Sequence, residues 1–209
     1  MSVIAPSELN ASTERTAYPP LVSSDLLGVT VKYKTIVADP PWEYRHKVTG
    51  RGGRGAASHH YKTMTMREIA EMKMPPIAKD AFLWMWVTNP VMAEGWHAEI
   101  IKAWGFKPQS VLTWVKRGIG MGYTLRSATE HLIVARRGHP KVNDRSIKTW
   151  FEAKRMRHSQ KPEEAQTIIE KICDGPYLEM FARRKRPGWH SWGNEIESDV
   201  TLVTPNDPS

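Results

Sequence analysis

Lys34-Thr35-Ile36-Val37-Ala38-Asp39-Pro40-Pro41-Trp42 is the stretch on which the reading of this chain turns. Thr35 to Ala38 is apolar and β-branched, too short for a helix and halted by two prolines, which predicts a short buried strand. Proline fixes φ and lacks an N–H, and the first of the pair pushes Asp39 towards an extended backbone. The expected product is a stiff ledge at the carboxyl end of a strand. It carries one carboxylate, carbonyls without an intrachain partner, and an indole. In open α/β sheets, ligands bind at that edge.

Such a ledge suits chemistry on an exocyclic amino group. The lone pair of an aromatic amine is delocalised into its ring, so the nitrogen is a poor nucleophile. Asp39 and the Pro40 carbonyl can each accept one N–H, favouring the form whose lone pair points outwards. Trp42 offers a face on which a base stacks, a contact worth about 1–3 kcal/mol. A Pro-Pro turn with Asp39 as a cap and Trp42 as core fits the same four residues, and on this stretch alone both readings stay open.

Asp39-Pro40-Pro41-Trp42 behind an apolar strand resembles the Asp/Asn-Pro-Pro-Tyr/Phe/Trp signature of amino-methyltransferases, in the Trp form typical of the MT-A70-like N6-adenine methyltransferases. Phe82-Leu83-Trp84-Met85-Trp86-Val87-Thr88, Leu112-Thr113-Trp114-Val115-Lys116 and Glu130-His131-Leu132-Ile133-Val134 follow in the family's order. Ser159-Gln160-Lys161-Pro162-Glu163 and Trp192-Gly193-Asn194-Glu195 complete it, so the similarity spans about residues 33 to 197. The resemblance implies one Rossmann-like α/β methyltransferase domain with the ledge strand first and the cofactor strand last, the circularly permuted or β-class order.

It also implies transfer of a methyl group from S-adenosylmethionine to adenine N6, with Asp39, Pro40, Pro41 and Trp42 catalytic and no metal. Asp39, Lys161, Phe181, Arg183, Lys185, Asn194 and Glu195 are the implied cofactor residues. Among them Lys161 matches a lysine at the methionine carboxylate, Phe181 and Arg183 a ribose and carboxylate contact, and Asn194 and Glu195 a pair near the adenosine. A glycine-rich loop is missing after Phe181, where Ala182-Arg183-Arg184 stands, a departure that the family shares. The substrate set is Tyr44, Arg51, Arg54, Tyr61, Lys116, Arg117, Tyr123 and Arg126, of which Tyr61 matches a residue beside the target base.

Composition narrows the partners. A chain of 209 residues fits one α/β domain, and its 40% hydrophobic content is ordinary. A single cysteine, Cys173, excludes an intrachain disulfide framework and fits a reducing cytoplasm. There is no basic start leading into an apolar run and no stretch of membrane-spanning length, so no membrane partner is expected. A net charge of +8 favours a polyanion. The similarity to small bacterial and phage members points to DNA over RNA, and a non-catalytic nucleic-acid-binding subunit is the rival from another class. Cytosine N4 and glutamine are chemically close acceptors. A monomer and a homodimer both stay open.

Along the chain, residues 1–28 read as an arm, 29–197 as the domain and 198–209 as a tail. The strands are expected at Val29–Val37, Ala81–Val87, Lys107–Lys116, Glu130–Arg136 and Tyr177–Phe181. Thr65 with Glu68 is a capping box, Asn89-Pro90 a turn, Val91–Trp104 one amphipathic helix, and Pro162 opens a helix that runs to about Cys173. Residues 43–60, 117–128 and 139–157 are basic loops suited to phosphate contact, with Trp150 and Phe151 interleaved in the last. His59 and His60 lack further ligands at metal spacing. Gly118, Gly120 and Gly122 lead into a strand rather than a helix, so they are not a dinucleotide fingerprint.

Overall fold

The computed structural model describes residues 31–43, 63–118, 124–155 and 160–200. Its strands are β1 (Tyr33–Ala38), β2 (Ile77–Val87), β3 (Lys107–Arg117), β4 (Thr129–Arg137), β5 (Trp150–Lys154), β6 (Tyr177–Met180) and β7 (Trp189–Trp192). They form one sheet in the order β5-β3-β4-β2-β1-β6-β7. β4 runs against both its neighbours, and every other pairing is parallel.

Both faces of the sheet are covered, which is why its central strands read as continuous apolar runs. Ile36, Ala38, Leu83 and Met85 enter one core with Ile69 of α1 (Met66–Ala70), Val91 of α2 (Asn89–Glu94) and Ile100 of α3 (Trp96–Ala103). Val37, Phe82, Trp84 and Trp86 enter the other with Ala165 and Ile169 of α4 (Glu163–Ile172). From β1 the chain passes through α1 to β2 on one side, while α4 delivers β6 to the other. The carboxyl end of β1 therefore lies where the order of connections reverses, the place an open sheet offers a crevice.

The capping box is present: the Thr65 hydroxyl accepts from the Glu68 N–H, and the Thr65 N–H donates to the Glu68 carboxylate. Several expectations are corrected. β1 starts at Tyr33, and residues 29 and 30 lie outside the described ones. Asn89-Pro90 is the first turn of α2, where proline's missing N–H costs nothing. The single helix expected to Trp104 is two, because Gly95 takes a left-handed φ of 76° and ends α2 before α3 begins. Phe181 is not strand but turn, with φ 62° just past β6.

Part of the basic segment 139–157 is β5, whose Phe151 and Ala153 reach the core between exposed Trp150, Glu152 and Lys154. β7 was not expected. The first residues of the supposed tail also pack: Val200 is buried, and the Asp199 N–H donates to the Ser191 carbonyl at 2.8 Å. No helix among the described residues is long and apolar enough to cross a membrane.

Candidate active site

The ledge is built by backbone bonds as much as by its prolines. The Asp39 N–H donates to the Met180 carbonyl at 3.3 Å, tying the end of β1 to the end of β6. Neither proline has an N–H, but both carbonyls have partners, contrary to expectation: Pro40 accepts from the Trp42 N–H at 2.9 Å and Pro41 from the Met64 N–H at 2.8 Å. A carbonyl has two lone pairs, so Pro40 keeps one acceptor site. The chain leaves the described residues after Glu43 and returns at Thr63, and Glu43 donates to the Met64 carbonyl at 3.2 Å. Both feet of that excursion thus stand on the ledge.

Trp42 is placed differently from the stacking face expected of it. Only 5% of it is exposed, and its indole N–H donates to the Trp86 carbonyl at 3.2 Å. The ring packs under the ledge and stiffens it.

Over the strand ends runs an alternating line of charge. The Lys161 ammonium, just before α4, lies 3.0 Å from Asp39 Oδ1 and 3.2 Å from Glu130 Oε2. Glu130 turns its other oxygen to the Lys116 Nζ at 2.6 Å. Each lysine also lies over an indole, Lys161 at 5.3 Å from the Trp86 ring and Lys116 at 5.0 Å from Trp114, and these two rings meet edge to face. The line is nearly dry. Burial pushes the Asp39 carboxyl above its ordinary range against the pull of Lys161. For Glu130 burial acts the same way, but Lys161 and Lys116 outweigh it and hold the group below its usual value. Burial alone would lower Lys161; Asp39 and Glu130 overcome that and keep it a cation. Asp39 is therefore the member of the line closest to taking up a proton.

A narrow cleft opens beside this line, bounded by Asp39, Lys161, Phe181, Arg183 and Glu179 among others. Burial first, then the nearby Asp39 charge, raises Glu179 to about 7, and Gln166 donates to it. The other Gln166 side-chain atom, Oε1, is buried there without a partner. Arg183 lies 3.7 Å from Glu195 across the turn. Gly193, before Asn194, passes so close to Ala182 that a Cβ would sit 2.0 Å from the Ala182 carbonyl oxygen, so only glycine fits. Lys185 is directed to Asp199 at 2.7 Å. Arg184 donates to the Lys161 carbonyl at 3.2 Å and to Glu163 at 2.8 Å, fixing the backbone that carries the lysine. Burial pushes the Cys173 thiol up to about 12, so it is no thiolate nucleophile.

Of the substrate set, Lys116 is drawn into the charge line and is 10% exposed. Arg117 lies outside it, 3.7 Å from Glu152, and Arg126 is exposed on the β3–β4 connection. Tyr44, Arg51, Arg54, Tyr61 and Tyr123 lie outside the described residues, as do His59 and His60. Sequence reasoning passed over Glu130 and Glu179 as site residues. The available signal was a lone acid in each of two otherwise apolar strands, Glu130-His131-Leu132-Ile133-Val134 and Tyr177-Leu178-Glu179-Met180, where a buried carboxylate must have a partner or a task.

An α/β sheet with one antiparallel strand, a Pro-Pro ledge at its switch point and a cleft beside it is the architecture of a Rossmann-like methyltransferase fold. The MT-A70 family model matches residues 33–195, and the chain belongs to that family. It is 32% identical over 191 residues to a putative N(6)-adenosine-methyltransferase MT-A70-like protein of Medicago truncatula, covering 86% of this chain and 28% of that one. It is 31% identical over 184 residues to the Type II methyltransferase M.MunI of Mycoplasma sp, covering 79% of this chain and 78% of that one. With the human N(6)-adenosine-methyltransferase catalytic subunit METTL3 it shares 26% identity over 213 residues, 94% of this chain and 34% of that one. The chain thus spans about a third or less of the plant and human proteins but most of the mycoplasmal one.

Proposed function

We propose that this chain transfers a methyl group from S-adenosylmethionine to N6 of adenine in DNA. The observation that carries the reading is Asp39, fixed at the switch point between Met180 and the Lys161 ammonium with its carboxyl raised by burial. The cleft residues fit the cofactor. Lys161 and Arg183 are cations suited to a carboxylate, Glu179 is an acceptor suited to a ribose diol, and Gln166 Oε1 is a buried acceptor lacking a donor. When bound, the cofactor would supply an electrophilic methyl group, held by the residues that line this cleft.

The chain's own residues handle the amine. Asp39 and the spare lone pair of Pro40 accept its two N–H bonds, which turns the nitrogen lone pair outwards. Asp39 then takes the proton the amine sheds, a role for which a desolvated carboxyl is suited. Lys161 holds Asp39 in place, Glu130 holds Lys161, and the buried Trp42 keeps the ledge rigid. Adenine in a duplex must first be flipped out, at a cost of a few kcal/mol.

DNA is favoured by the match of similar extent to the Type II methyltransferase and by the net charge of +8. RNA is the second reading, favoured by the relatives named as N(6)-adenosine-methyltransferases. Labelled S-adenosylmethionine offered with matched duplex DNA, single-stranded DNA and RNA, followed by nucleoside mass analysis, decides between them. N6-methyladenine in DNA is the expected product. Label in RNA alone moves the substrate to the second reading, and no label with cofactor bound removes the activity from the isolated chain.

A further inference from the structure

The β5 end of the sheet carries a feature that the ledge chemistry leaves unused. Six of the nine tryptophans, Trp42, Trp84, Trp86, Trp104, Trp114 and Trp189, are buried. Trp150 is 48% exposed, and it and Leu125 are the two large exposed apolar residues among those described. The Lys148 Nζ lies 5.7 Å from the Trp150 ring. Residues 141–155 hold five cations (Lys141, Arg145, Lys148, Lys154, Arg155) and two acids (Asp144, Glu152), a net charge of five minus two, +3. Asp144 is engaged with the Ser146 N–H and hydroxyl at 2.8 and 2.7 Å, and Glu152 with Arg117. What faces solvent is an indole with Lys148 beside it in a net-positive stretch, whose exposed acid Glu152 lies 3.7 Å from Arg117.

Its position relative to the ledge follows from the sheet. β3 and β5 are parallel, with Thr113 opposite Trp150 and Arg117 opposite Lys154, and both run in the direction of β1. Ala38 is level with Met85, Ile133 and Val111, so Thr113 and its partner Trp150 stand level with the ledge, and Lys154 and Arg117 reach about 13 Å beyond it. Four strand spacings separate β5 from β1, about 19 Å. A ring about 20 Å from the target cannot touch the reacting adenine, but it can touch the strand that carries it.

We propose that Trp150, with Lys148 and Lys154, is a stacking platform for an unpaired base of the same polynucleotide, held beside the catalytic cleft. Indoles flanked by cations suit this partner: the ring face takes a base of any identity while the cations take phosphates. A second copy of the chain is disfavoured, since a two-fold contact through this patch sets its +3 against another +3. The proposal rests on the polynucleotide substrate of the preceding section, and binding measurements separate the two.

Fluorescence anisotropy of a 20-nucleotide and a 4-nucleotide single strand, each with one adenine, tests it with wild type, Trp150→Ala and Trp150→Phe at one salt concentration. Trp150→Ala is expected to weaken the long strand about tenfold and leave the short one unchanged, with Trp150→Phe restoring most of the loss. In methyl transfer the same pattern is expected in KM for the long strand, at unchanged kcat. Unchanged affinity of Trp150→Ala for the long strand, or an equal loss for both lengths, overturns the platform. So does a Trp150→Ala defect confined to self-association in sedimentation. A wild type that binds no polynucleotide of any kind overturns the substrate class itself.

Discussion

The charge line over β1 and β4 and the basic run after β6 are both clusters of ion pairs, but they are wired differently. In the line, Lys161 is shared by Asp39 and Glu130, and Glu130 is shared by Lys161 and Lys116. In the run, past Arg183, which lines the cleft and faces Glu195, the ion pairs join Arg184 to Glu163, Lys185 to Asp199 and Arg186 to Glu170. Private pairs tie the β6–β7 connection to α4 and to residues 195–199, and they act as fasteners. A shared line can redistribute when a ligand charge enters or a proton arrives, because its two inner members, Lys161 and Glu130, each have a second partner in reach. Similar residue types thus serve reaction at one place and assembly at the other.

The sharpest way to break that contrast is at Asp39, the end of the line, and at Lys161 beside it. Asp39→Ala is expected to lower kcat by about 10³-fold or more, while calorimetry shows S-adenosylmethionine affinity within a few fold of wild type. Near-normal turnover would remove Asp39 from the mechanism. Lys161→Met leaves Asp39 and Glu130 facing each other without the intervening cation. Turnover should fall about 100-fold, and denaturant unfolding should register a loss of about 1–3 kcal/mol. Stability lost with full turnover would reclassify the line as a fastener.

The run predicts the converse. Arg186 makes two bonds to Glu170, which also accepts from the Trp189 indole N–H at 2.7 Å. Arg186→Met should cost about 1–2 kcal/mol of stability and leave kcat and KM as they were; a kinetic defect of tenfold would erase the distinction. The smallest effect is expected at Glu179. A carboxyl raised to about 7 in the fold, against an ordinary 4.5, binds more protons folded than unfolded. Its contribution to stability is whole below about pH 4.5 and is lost as pH rises through 7. Glu179→Gln should flatten the decline between pH 5 and 7 by roughly 1 kcal/mol, after allowing for its partial exposure. A pH profile identical to wild type would show that Glu179 titrates normally.

Much of the layout was legible because it follows from local rules. Thr35 to Ala38 is apolar on both faces, the two prolines must stop the strand, and Thr65 with Glu68 must start a helix. Gly95 was not readable as a break, since an isolated glycine inside an apolar period costs only about 1 kcal/mol and the period carries on past it. β5 hid because its two inward residues sit among cations that look like loop. At the site, Asp39 and Lys161 stood out by motif, whereas their alliance with Glu130 depends on β1, β4 and the start of α4 meeting across 91 and 31 residues of sequence. Trp42 misled because an indole beside a ledge can point either way, and only the Trp86 carbonyl beneath it decides.

Asp199 has a consequence for the company the molecule keeps. Its backbone N–H reaches the Ser191 carbonyl and its carboxylate receives the Ser191 N–H at 2.9 Å, while its other oxygen binds Lys185. One residue thereby occupies both hydrogen-bonding groups that Ser191 turns away from β6. An outermost strand with those groups bare is a template on which a neighbouring chain can add a strand of its own. The cap on β7 closes that route at Ser191, so this edge of the sheet is not open there to a strand from another copy.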